Sequence, residues 1–244
     1  MGLRRDESEV VNSPDIFNMP GSGNWTSGII QVESSKNHSR SRIATLPVVV
    51  DPDKSNGYEE IASIFISGRG RKHSGVGASV VVDWSQKLPD SAAVLDLGCG
   101  NGVPISQALI ERGFNVYGVD ASARMVAAFR ARFPTVPVEC AAVGDSDFFG
   151  RTFEGVVAWG LFFLLDAEGQ RKLIAKVAAV LPSGGRLLFT APSQSCSWTD
   201  AMTGRTSISL GLDAYRNALE AEGMSLVGTH RDDGDNHYYF AHKT

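Results

Sequence analysis

An apolar run, Val94-Leu95-Asp96-Leu97, stops at Gly98-Cys99-Gly100-Asn101-Gly102, and a helix-like pattern opens at Val103-Pro104. Alternating glycines let the backbone take positive φ and leave bare peptide for a ligand to approach. Proline fits the first helical position, where the missing N–H has no partner to lose. The helix start behind the bend offers unpaired N–H groups to a carboxylate or phosphate. After the strand-length run Phe114–Val119 comes Asp120, 20 residues beyond Gly100. That is where an acid accepts hydrogen bonds from ribose hydroxyls. Few architectures other than a parallel α/β sheet put these parts in this order.

Two nucleotide cofactors could use such a bend, and the spacing separates them. The dinucleotide fingerprint is G-x-G-x-x-G. Here the third glycine comes one residue early, at Gly102, and Val103 stands where the fingerprint wants glycine. Asp96 beside the bend would repel a pyrophosphate and suit a cationic amino group. A ligand with an ammonium, a carboxylate and an adenosine fits better, and S-adenosylmethionine has all three.

Four blocks now resemble the class I S-adenosylmethionine-dependent methyltransferases. They are Val94–Gly102, Val119–Ser122, Phe153–Trp159 and Leu181–Phe189, and the likeness runs over roughly residues 58–244. It implies a Rossmann-like, doubly wound α/β sheet of about seven strands with helices on both faces. The strands would be mostly parallel, with an antiparallel strand inserted near the C-terminus.

The pattern along the chain agrees with that expectation. Strand-like and helix-like segments alternate, as in a parallel sheet covered on both sides. Strands are expected at Ala93–Leu97, Asn115–Val119, Val136–Cys140, Gly155–Trp159 and Arg186–Thr190. Helices are expected over Val103–Arg112, ended by Gly113, then from the N-cap Ser122 to Pro134, and over Ala167–Leu181 and Leu212–Ala221. A closing pair, Ser225–His230 and His237–Ala241, has a spacer short enough for a hairpin. The Ser- and Thr-rich stretch 191–211 is long enough to be functional.

Residues 1–56 differ from the rest. Serine, asparagine, proline and glycine dominate, and apolar residues follow no period, which reads as a flexible tail with one orderable run at Ala44–Val50. Residues 57–244 form the domain, and within it 57–90 hold two leading helices expected to cap the cofactor and wall the substrate. Between them lies a basic loop, Ser67–Ser74, with Arg69 or Arg71 a candidate partner for the methionine carboxylate or a substrate anion.

Composition narrows the function. A net charge of −4 gives no electrostatic footprint for nucleic acid. No apolar run approaches the ~20 residues of a membrane span, and Met1–Glu9 lacks the apolar core of a secretory signal. Cys99, Cys140 and Cys196 form no metal-ligand spacing and suit a reducing cytoplasm. No metal is expected.

The candidate cofactor residues are Asp96, Gly98, Cys99, Gly100, Asn101, Gly102, Asp120, Ala121, Met125, Ala142, Val143, Asp145, Trp159 and Arg69. Position favours Ala142-Val143 for the adenine and residue type favours Asp145; the sequence leaves both open. Trp159 and Phe162 are candidates for an apolar acceptor wall, Trp198 and Arg205 for reading the acceptor. The catalytic base is unassigned, with His237 and His73 as candidates. The site after the fourth strand lacks the Asn/Asp-Pro-Pro-aromatic signature of enzymes that methylate DNA amines or glutamine amides. A small organic acceptor is the leading expectation. Methyl transfer to protein or RNA, a non-catalytic cofactor-binding partner or sensor, and a nicotinamide oxidoreductase are the alternatives.

Overall fold

The computed structural model describes residues 53–69 and 77–244. The run Ala44–Val50, Arg71, His73 and the side chain of Arg69 lie outside the described residues. The order is α1 (Tyr58–Arg69), α2 (Ala78–Ser85), β1 (Ala93–Leu97), α3 (Ile105–Glu111), β2 (Asn115–Asp120), α4 (Ala123–Arg132), β3 (Val138–Cys140) and β4 (Gly155–Ala158). There follow α5 (Ala167–Val180), β5 (Arg186–Thr190), β6 (Cys196–Thr199), β7 (Thr206–Ser209), α6 (Leu212–Ala221), β8 (Met224–Arg231) and β9 (His237–Lys243).

Seven strands form one sheet in the order β3-β2-β1-β4-β5-β9-β8. The pairs from β3 to β5 are parallel, and β9 is inserted antiparallel between β5 and β8. Successive side chains of a strand face opposite sides, and the core divides accordingly. Leu95, Leu97, Val156, Leu187 and Phe189 pack with α5 and α6, while Val94, Val157 and Leu188 pack with α2 and α3. Helices therefore cover both faces, as expected. The chain moves outward from β1 to β3 and then crosses to β4. The loops after β1 and β4 diverge at that switch and open a crevice beyond the carboxyl ends of the strands.

Local chemistry sets the element ends. Pro104, expected inside the helix at its start, stands at the N-cap, one place before the first helical residue Ile105, and the Val103–Pro104 peptide is cis. Gly113 ends α3 at φ +85°. The hydroxyl of Ser122 accepts from Met125 N at 3.2 Å and starts α4 as expected. β3 begins at Val138 rather than Val136, because Val136 N bonds Phe133 O in a turn and Pro137 has no N–H for a ladder. Helix α5 stops at Val180 because Leu181 precedes Pro182, a position that disfavours helical backbone. The stretch 191–211 holds the antiparallel hairpin β6–β7, which periodicity did not reveal.

Candidate active site

The floor of the crevice is the bend after β1. Gly98 N and Cys99 N donate to Val119 O at 2.8 and 3.2 Å, and Gly102 N donates to Cys99 O at 2.9 Å. The Asp120 carboxylate accepts from Gly100 N and from Ser122 N, each at 2.8 Å, and so ties the bend to the start of α4. Burial pushes the Asp120 carboxyl above the ordinary carboxylate range, against the pull of those two bonds. Asp96 is 2% exposed and accepts from the Ser106 hydroxyl at 2.5 Å. Burial, with help from Asp120 and opposed by Ser106, raises it to about 7. A buried carboxyl, Asp96, and a partly buried one, Asp120, thus stand beside one glycine bend.

Above the floor lies a cavity of about 410 Å³. Asp96, Gly98, Cys99, Gly100 and Asn101 reach it from the bend, and Asp120, Ala121 and Met125 from the end of β2 and the first turn of α4. Ala142 and Val143 line it from the loop after β3, and Trp159 from the end of β4. Gly100 has φ +55°, and no atom lies within 4 Å of where a Cβ would stand. The Nδ2 of Asn101 is buried without a partner in the same wall. Both features suit a ligand pressed against the bend.

Six sequence candidates fall elsewhere. Gly102 (φ +81°) turns its Cβ direction to Phe133 and Phe129, which would lie 2.6 and 2.9 Å away, so aromatic packing behind the bend demands the glycine. Asp145 turns to solvent and pairs with Lys54 at 2.7 Å, and the cavity takes Ala142, Val143 and Gly144 instead. Phe162 is a core residue, wholly buried and stacked on Phe189 at 4.2 Å. Trp198 sits on β6 against Phe163 at 5.5 Å, away from the cavity. Arg205 bonds Asp53 at 3.0 Å and Glu60 at 3.6 Å and so clasps the chain before α1. His237 packs edge-on to Tyr239 at 5.1 Å outside the cavity, and burial lowers its pKa.

Other walls were missed. Lys54, Ser55 and Asn56, assigned to the tail by composition, line the cavity, as do Tyr58 and Phe65 of α1. The signal for the first three was Asp53 followed by Ser55 and Gly57, an Asx-turn pattern. Leu161, Leu164 and Leu165 form the apolar side in place of the phenylalanines, since the tight turn Phe162–Leu164 sends adjacent side chains in different directions. Trp159 donates its indole N–H to Tyr238 Oη at 3.1 Å, and Tyr238 donates to Asp232 at 2.7 Å. The Lys176 ammonium on α5 donates to the carbonyls of Val143, Gly144 and Ser146 at 2.8, 2.9 and 2.7 Å. Among the described residues no group of three or more His, Cys, Asp or Glu side chains could hold a metal ion.

The strand order is that of the Rossmann-like methyltransferase fold, and residues 94–185 match the family described as "Methyltransferase domain". No curated protein matches the chain in sequence. A S-adenosylmethionine-dependent methyltransferase from Clostridium acetobutylicum superposes with TM-score 0.61 at 13% identity, covering 76% of this chain and 98% of that one. The 1,6-didemethyltoxoflavin-N1-methyltransferase of Burkholderia thailandensis, solved with 1,6-didemethyltoxoflavin and S-adenosylhomocysteine, gives 0.60 at 20% identity, over 75% and 87%. The amino pentose methyltransferase CalS10 from Micromonospora echinaspora, solved with bound S-adenosylmethionine, gives 0.58 at 20% identity, over 75% and 97%. At these identities the likeness to the solved structures is one of fold. The central part of the chain, residues 94–185, thus matches the methyltransferase-domain family, and the fold is the one shared by these S-adenosylmethionine-dependent methyltransferases.

Proposed function

We propose that this chain transfers the methyl group of S-adenosylmethionine to a small organic acceptor, at an O, N or S atom, by in-line attack. Bound S-adenosylmethionine supplies an electrophilic methyl on a sulfonium leaving group. The protein contributes approach geometry and a dry cavity. Asp96 would meet the ammonium, and the Asp120 carboxylate, whose oxygens keep lone pairs beyond their two backbone bonds, would accept from ribose hydroxyls. Ala142, Val143 and Gly144 would flank the base, with Met125 beneath. Trp159, Leu161 and Leu164 would exclude water and present an apolar face to the acceptor.

One observation carries this reading. A single cavity joins the glycine bend and its two acids to that apolar wall, which supports a meeting of cofactor and acceptor there. The toxoflavin and amino pentose enzymes of the same fold support a small acceptor. The unpaired cysteines 99, 140 and 196 support a reducing, cytoplasmic setting.

Calorimetry with S-adenosylmethionine, S-adenosylhomocysteine and NAD, followed by product formation on a panel of phenols, thiols, amines and carboxylates, tests the proposal. Binding of the first two with turnover of a panel member is the expected result. Turnover of RNA or protein alone, or binding with no turnover at all, would replace it with the macromolecular or the sensor reading.

A further inference from the structure

The segment just before α1 lines the cavity and carries a buried donor without a partner. Asp53 bends this segment: its carboxylate accepts from Ser55 N at 2.9 Å, Ser55 Oγ at 2.5 Å and Gly57 N at 2.8 Å. Asn56 inside the turn sits at φ +52°, in the left-handed region that asparagine tolerates better than other residues with a Cβ, apart from aspartate. Arg205 holds the same carboxylate at 3.0 Å and presses on Gly57, where a Cβ would meet its Nε at 2.9 Å. The result is a fixed turn that carries the Asn56 carboxamide. Asn56 lines the cavity, and its Nδ2 is buried without a hydrogen-bond partner. A buried unsatisfied donor is unfavourable unless a ligand completes it.

Neighbouring contacts say which part of a ligand would do so. Lys54, two residues before, bonds Asp145 at 2.7 Å on the loop that brings Ala142 to Gly144 into the cavity. Glu59, three residues after, accepts from Ser122 Oγ at 2.5 Å and Arg124 N at 3.1 Å, directly beyond Asp120. Asn56 therefore lies between the loop that would meet the base and the acid that would meet the sugar. The atoms to be met there are ring nitrogens and sugar oxygens, which are hydrogen-bond acceptors.

We infer that Asn56 is a nucleoside-reading residue, its carboxamide N–H donating to the adenosine part of the cofactor, with the Arg205–Asp53 pair as its positioning device. This rests on the methyl-transfer reading and adds to it a specificity element supplied from outside the sheet.

Isothermal titration with S-adenosylhomocysteine and with 5′-methylthioadenosine, which lacks the amino-acid end, tests it. Asn56→Gly keeps the left-handed backbone and removes the amide, and Asn56→Asp keeps the shape while replacing the donor with an acceptor. Each should weaken both ligands by a similar factor of about 5 to 10, with Asp at least as damaging, while thermal melts report whether the variants fold. Arg205→Ala should weaken binding in the parent and add little on top of Asn56→Gly, because the two act through one contact. Unchanged affinity for 5′-methylthioadenosine in the Asn56 variants, or fully additive losses with Arg205→Ala, would overturn the corresponding part of the inference. Failure of the unaltered chain to bind either nucleoside would overturn the methyl-transfer reading along with it.

Discussion

The indole N–H of Trp159 donates to the hydroxyl of Tyr238, 3.1 Å away and 79 residues later, and Tyr238 in turn donates to Asp232 at 2.7 Å. The inserted antiparallel strand thereby fixes a cavity wall that belongs to the parallel half of the sheet. Tyr238→Phe removes the acceptor of one bond and the donor of the other. We expect a loss of ~1–3 kcal/mol in stability by urea titration. Affinity for S-adenosylhomocysteine should stay within about twofold while the KM for an acceptor rises; a large loss of cofactor affinity would contradict the placement of Trp159 on the acceptor side.

The fully buried Asp96, raised to about 7, gives a pH-dependent signature. A carboxyl that binds its proton more tightly folded than unfolded contributes stability that is fully present below its unfolded value, near 4. That contribution is lost as pH rises through about 7, at up to ~1.4 kcal/mol per pH unit. Asp96→Asn, which keeps an acceptor for Ser106, should therefore gain on the parent steadily between about pH 4 and 7 and then hold its lead. It should also bind S-adenosylmethionine more weakly, having lost the anion for the ammonium. Unfolding curves across pH check the first statement, and a pH-independent difference would refute it.

Asp120 holds the bend and would hold the ribose, so its two jobs should separate by substitution. Asp120→Ala is expected to weaken S-adenosylhomocysteine by ~1–3 kcal/mol and to lower the melting temperature, since Gly100 N and Ser122 N lose their acceptor. Asp120→Asn keeps one carbonyl oxygen and should retain more stability than affinity. Unchanged calorimetric affinity in the alanine variant would remove Asp120 from the ribose.

The glycines of the bend should fail in different ways. Gly102→Ala drives a methyl into Phe133 and Phe129 at positive φ, so it should destabilise the fold by ~2–4 kcal/mol. Gly100→Ala meets open space and only the ~1 kcal/mol strain of the left-handed backbone. Its effect should appear instead in cofactor affinity, where the methyl occupies ligand volume. Equal stability losses in the two variants would contradict the assignment.

Much of this architecture was legible because it rests on local signals. The strand at Arg186–Thr190 and the helix at Leu212–Ala221 came out at their observed bounds, carried by an unbroken apolar run and a helical period between glycines. Residues of the bend and the end of β2 were legible for the same reason, since backbone chemistry there requires those residue types. The acceptor side was not. Phe162 and Leu164 are equally apolar in sequence, and only the turn they share decides which one faces the core. Arg205 reads as a substrate cation, yet its partner Asp53 lies 152 positions earlier, a pairing that only tertiary structure makes. The segment from Asp53 to Asn56 was lost to composition because three polar residues in an Asx turn resemble a tail.

Lys176, on α5, grips three carbonyls of the loop after β3. The curve of that loop is cast by an ammonium on a helix and by Val143 packed into the core, while Ala142 lines the cavity. Mould and imprint are separable at Ala142: exchanging that small residue alters what is recognised, whereas removing the lysine would slacken the shape that every such exchange relies on.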